Sequence, residues 1–127
     1  MNGSDLNIAK YVVTKCVVDR IPINNLQLQN ILYLIDFEYR KKTCIHMFAN
    51  KFEISKLGAR IPEIQYAFCG WGAMKIADEY PFEPILDEKK EIIDETLECT
   101  RIKTCAALVK LVLAIEGGAR MEDVEDE

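Results

Sequence analysis

FEISKLGARIPEI, residues 52–64, holds the changes of character that decide the fold. Phe52 and Ile54 alternate with Glu53 and Ser55, the two-residue period of a strand with unlike faces. Gly58 supplies the backbone freedom for a turn, and Pro62 suits the first position of a helix, where its missing N–H is not needed. The stretch reads as a short strand, a hard turn and a helix start, with Arg60 in the corner.

Working outward, the apolar spacing is helical on both sides. Asn24 followed by Gln27 is a capping-box arrangement that opens a helix through about residue 42. Its stripe is Leu28, Ile31, Leu32, Ile35 and Tyr39, with Leu34 and Phe37 off it, so it is apolar on more than one face and reads as the central helix. Before it, Ser4 is a candidate N-cap for a helix carrying Ala9, Val12, Val13, Cys16 and Val17. Residues 43–51 read as a turn and a short strand, which with FEIS would make a small hairpin. After Pro62 a stripe of Ile61, Ile64, Phe68 and Trp71 runs to the glycines at 70 and 72. Residues 79–86 hold two prolines and read as a loop. Asp87 is the candidate N-cap of a helix through about Cys99. Thr104 caps a last helix, with Ala107, Leu108, Leu111, Val112 and Ile115 inward and Gly117 and Gly118 at its end. The expected architecture is mainly α: one compact domain over residues 1–118, about five helices with one short β-hairpin or strand element.

Charge is unevenly placed. The chain of 127 residues has a formal net charge of −5, all of which falls on residues 116–127, leaving the body neutral. Residues 119–127 read as an acidic, disordered tail. A neutral body with an acidic end argues against direct nucleic-acid binding, which needs clustered Lys and Arg. The most apolar run, AALVKLVLAI at 106–115, is too short for a membrane span and contains a lysine. The N-terminus lacks the basic-then-apolar order of a signal peptide, so a cytoplasmic location is expected. The five cysteines are scattered without a C-x-x-C and fit reduced thiols; Cys16 and Cys105 sit among apolar neighbours.

Candidate chemistry is thin. Cys44 and His46 are a formal nucleophile–base pair that would share a face of a short strand, but the sequence suggests no third group to orient them. Asp36 and Glu38 point about 200° apart on a helix, which is wrong for shared acid–base work. Zinc would need ligands from dispersed single cysteines, and no phosphate-cradling glycine pattern is present. Neither a catalytic group, a cofactor nor a metal is expected. What remains is surface. Lys56 and Arg60 flank Gly58, with Glu53 nearby, and Tyr33 and Tyr39 point about 240° apart around the central helix. Arg and Tyr are the residue types that anchor interfaces, so Tyr39, Glu53, Lys56 and Arg60 are the candidate partner-binding residues.

Two stretches together resemble a known family. LQLQNILYLIDFEY (26–39) is similar to the "KLQKLLY" helix of the Panacea domain, the SocA-like or GepA-like phage-associated proteins. FEISKLGARIPEI is similar to that family's "FEAWKYGPVVPEVY". Leu28, Leu32 and Tyr33 fall on the helix motif, and Phe52, Glu53, Lys56, Gly58, Pro62, Glu63 and Ile64 on the second. The family's Gly-Pro-Val is here Gly58-Ala59-Arg60, so the rigid proline is gone and a cation sits in the corner. Ile54 and Leu57 replace two aromatics. Val112 and Leu113 stand where many members carry a Thr-His pair. The resemblance spans roughly residues 5–113 and implies a divergent member with non-enzymatic work: an antitoxin that binds and neutralises a toxin encoded beside it. The alternative on the same scaffold is a phage-encoded inhibitor of bacterial defence, of anti-CRISPR type, whose acidic tail competes for a basic groove. Either way the expected partner is a protein, a cognate toxin or a defence nuclease.

Overall fold

A computed structural model of the chain describes residues 3–118. Its elements, in chain order, are α1 (Gly3–Val18), α2 (Asn25–Thr43), β1 (Glu53–Ser55), β2 (Gly58–Arg60), α3 (Pro62–Ala67), a 3₁₀ turn (Cys69–Trp71), α4 (Asp87–Thr100) and α5 (Cys105–Glu116). The expected fold class is the observed one: a small, mainly α domain with a two-stranded antiparallel sheet. The expected acidic tail, residues 119–127, lies outside the described residues.

α2 is the axis on which the other elements pack. Asn24 accepts from the backbone of Gln27, and the Gln27 side chain accepts from the backbone of Asn24, so two otherwise orphaned donors are satisfied and the start is fixed. Leu28, Ile31, Leu32, Leu34 and Ile35 are all fully buried. They meet Val12, Val13 and Cys16 of α1, Ile93 and Leu97 of α4, and Leu108, Leu111 and Val112 of α5 in one core. The Thr104 hydroxyl accepts from Ala107 N and opens α5. The long connection before α4 is drawn over α1, where the Thr14 hydroxyl exchanges hydrogen bonds with the backbone of Tyr80 and Asn7 does the same with Glu83.

Several local expectations are corrected. Ser4 lies inside α1 rather than capping it, and Asp87 is the first helical residue of α4, behind Leu86 at the cap position. The third helix is shorter than its apolar stripe: α3 stops at Ala67, and the stripe continues through the 3₁₀ turn that carries Trp71 to Gly72, whose φ is +57°. Residues 43–51 form no strand. The hairpin pairs 53–55 with 58–60, in the register Glu53↔Arg60, Ile54↔Ala59 and Ser55↔Gly58.

Two buried carboxylates shape the segment that takes the strand's expected place. Cys44 ends α2 in a left-handed conformation, φ +64°, and turns the chain. Asp36 Oδ1 then accepts from Met47 N at 2.7 Å and Phe48 N at 3.3 Å, while Asp5 accepts from Ala49 N, Asn50 N and the Asn50 side chain. Backbone donors that a strand partner would have taken are taken by side chains of α2 and α1.

Candidate functional site

The hairpin stands on α2 through a pair of buried amides. Asn30 Oδ1 accepts from Ala59 N at 3.0 Å, and Asn30 Nδ2 donates to Leu57 O at 3.2 Å. On the residue before it, Gln29 Oε1 accepts from Ile61 N at 2.9 Å, and Asn25 holds the other end of the Gln29 amide. Because Ala59 N and Ile61 N both face α2, its side chains stand where a third strand would pair with β2. Gly58, at φ +89°, has room for nothing but hydrogen on this approach.

The same alternation defines the opposite edge. In an antiparallel pair, opposed residues either bond each other or both turn their backbone groups outward. Ala59 turns to Asn30, so its partner Ile54 presents its N–H and C=O away from β2. Among the described residues no backbone hydrogen bond beyond the hairpin reaches Ile54. All of β1 is exposed, and Ile54 and Leu57 are 42% and 57% exposed. Phe52 anchors the start of the strand, edge-on to Tyr33 at 5.4 Å and to Phe48 at 5.7 Å.

Arg60 is held rather than loose. Its Nη2 donates to Glu53 Oε1 at 2.9 Å across the hairpin, and its Nη1 donates to Gln65 Oε1 at 2.8 Å from α3. Arg60, Glu53 and Lys56 are all exposed and lie on one corner. Tyr39 is a correction. At 3% exposure it belongs to the core, with Lys89 of α4 lying over its ring, because α4 covers the α2 face on which Tyr39 stands. Tyr33 is buried as well; its hydroxyl donates to Glu116 at the end of α5. Burial and that carboxylate push the Tyr33 phenol well above the ordinary tyrosine range. Tyr11, bonded to Asp94 at 2.6 Å, is shifted the same way for the same reasons.

Cys44 and His46 do not sit on a strand. Cys44 is exposed in the left-handed residue that ends α2, and His46 turns its Nδ1 to Asp36 Oδ2 at 2.8 Å. Arg40 Nε stands 3.2 Å from the same oxygen, in ion-pair range but not in hydrogen-bond alignment. Asp36, which the sequence did not single out as a partner of His46, is thereby a support for the loop. Among the described residues no three His, Cys, Asp or Glu side chains group in a way that holds a metal ion, and no helix is long and apolar enough to cross a membrane. Cys16 is fully buried and its thiol is pushed up to about 11 by burial, which keeps it protonated and inert.

Comparison with protein-family models, with curated proteins and with solved structures finds no match.

Proposed function

We propose that the chain is a non-enzymatic, protein-binding inhibitor of antitoxin type, which neutralises a partner protein by direct contact through the hairpin corner. The observation that carries this reading is the corner's construction. Buried amides fix its backbone to the central helix, while Arg60 is pre-positioned by Glu53 and Gln65 beside exposed Ile54 and Leu57. A cation that needs no reordering, next to apolar side chains on a rigid support, loses little entropy on binding. The two motifs that resemble the Panacea domain support the same reading. A cytoplasmic partner, a toxin, suits it.

A second reading, an anti-CRISPR-type inhibitor of a defence nuclease, is favoured by the acidic face of α4. Asp87, Glu91, Asp94, Glu95 and Glu98 line a shallow depression there with Lys90. Such a face imitates the charge of nucleic acid toward a basic groove.

The test is a tagged pull-down from the native host at moderate salt, run with wild type and with Arg60→Glu. One stoichiometric protein is the expected result: a toxin lost from the variant supports the first reading, and a nuclease retained by the variant supports the second. A blank from a sample shown to be folded overturns both.

A further inference from the structure

We infer that β1 is a docking edge that accepts an extended, acidic-and-apolar segment of the partner protein as a third strand. This rests on the protein-binding reading above and assigns that reading its contact.

The hairpin's two edges are unequal. The β2 edge is closed by Asn30 and Gln29, whereas the β1 edge turns the N–H and C=O of Ile54 to the outside. An added strand recovers these groups in main-chain hydrogen bonds, the usual source of affinity in strand addition. Edges are normally blunted by shortness, lysine, proline, bulges or a covering segment, and β1 has the first two. Phe52 is fixed between Tyr33 and Phe48, and Asn30 holds Leu57 O in the turn, so both ends of the edge are tethered. Charge indicates the occupant. Glu53 is engaged by Arg60, while Lys51 and Lys56 flank the edge, both exposed. The local field is positive, so carboxylates near the ends of the incoming segment are favoured. Exposed Ile54 and Leu57 call for apolar side chains between them. A second copy of this chain fits less well, because antiparallel self-pairing about Ile54 sets Lys56 opposite Phe52 and gives neither lysine an acid directly across from it.

The experiment uses the full chain and a displayed library of random peptides about twelve residues long, long enough for one strand with flanks. Selected binders are expected to carry apolar residues at their middle and acidic residues toward their ends. In the complex, exchange of the Ile54 amide should slow by about ten-fold or more, as for a newly formed ladder bond. Ile54→Pro removes the outward donor without removing a hairpin bond, which edge positions tolerate. It should weaken binding by about ten-fold, the equivalent of one ladder bond. N-methylation of alternate peptide amides should do the same, and needs no variant to fold. Lys51→Gln with Lys56→Gln should abolish the salt dependence. No enriched binder, or binders indifferent both to Ile54→Pro and to N-methylation, overturns the docking edge. So does an Ile54 amide already protected in the free chain and released by removing residues 119–127, since the chain then fills its own edge. A pulled-down partner that survives Ile54→Pro but not Arg60→Glu leaves the inhibitor reading standing and removes only the strand addition.

Discussion

A Cβ built on Gly58 would stand 2.0 Å from Oδ1 of Asn30, although the two residues are separated by most of α2 and the whole of β1. No carbon can approach an amide oxygen that closely, so glycine is required twice at this position, once for its φ of +89° and once for space. Gly58→Ala should therefore cost about 2–4 kcal/mol, combining left-handed strain with the loss of a buried amide contact. Gly72, also at positive φ but with nothing within 4 Å, is the control. With φ +57° and ψ −128°, Gly72 lies where residues with a Cβ are rarely found, so Gly72→Ala should cost about 1–3 kcal/mol, all of it conformational. Urea unfolding of both variants checks this; a Gly58→Ala loss below about 1 kcal/mol would show that neither the backbone conformation nor the Asn30 contact demands glycine there.

The same contact predicts non-additivity. Asn30→Ala leaves Ala59 N without its acceptor and should cost about 1–3 kcal/mol. Once Asn30 is gone, Gly58→Ala meets open space and only the conformational penalty remains. The double variant should thus be more stable than the sum of single effects by roughly 1 kcal/mol or more. Additive losses would mean that the two residues do not act through one contact.

How much of this was legible follows from distance along the chain. The capping box of Asn24 and Gln27, the Thr104 cap, Pro62 at a helix start and Gly58 in a turn are all local, and the sequence displays them directly. The strand assignment within 43–51 failed because Asp36 and Asp5 take backbone donors that a neighbouring strand would otherwise have needed. Their partners lie ten or more residues away, beyond any periodic signal. The available clue was polarity in the wrong place: Asn25, Gln29, Asn30 and Asp36 interrupt a helix that is otherwise apolar on several faces. A buried polar residue must find a partner, so these positions mark where another segment's backbone arrives. Tyr39 was misplaced for the converse reason. Spacing separates Tyr33 from Tyr39 around the axis, but a central helix can bury both directions.

The loop at Asp36 should be more sensitive than its surface position suggests. Asp36→Ala leaves Met47 N and Phe48 N without an acceptor and deprives Arg40 and His46 of their carboxylate. A loss of about 3–5 kcal/mol is expected, the range for removing one partner of a buried charged network. Asp36→Asn retains one acceptor and should cost less. Thermal unfolding checks the order; an Asn variant as unstable as the Ala variant would show that the charge toward Arg40 and His46, and not the acceptor for the loop backbone, carries the effect.

Arg60→Glu separates fold from function. The Arg60–Glu53 pair is half exposed, and pairs of this kind contribute only about 0–1 kcal/mol. The variant should keep its Tm within a few degrees while partner binding falls by about ten-fold or more, as for loss of an interfacial Arg anchor. Charge exchange in Glu53→Arg with Arg60→Glu should restore the pair but not the binding. Unchanged binding in a well-folded Arg60→Glu protein would reduce the corner to a joint.

Alkaline pH should destabilise the chain through Tyr11 and Tyr33. Burial, with Asp94 and Glu116 as hydrogen-bond partners, raises both phenols above the value of about 10 that they have in the unfolded chain. Between the unfolded and folded values the native state holds protons that the unfolded state has lost. Stability is therefore fully present below about pH 10 and declines as pH rises toward the folded values. Tyr11→Phe and Tyr33→Phe should each lower stability at neutral pH by about 1 kcal/mol, the net worth of one hydrogen bond, and each should flatten the alkaline slope. Urea midpoints from pH 8 to 11 read both effects. A slope unchanged in the double Phe variant would place the alkaline loss on other groups, with Cys16, pushed up to about 11, the next to test by Cys16→Ala.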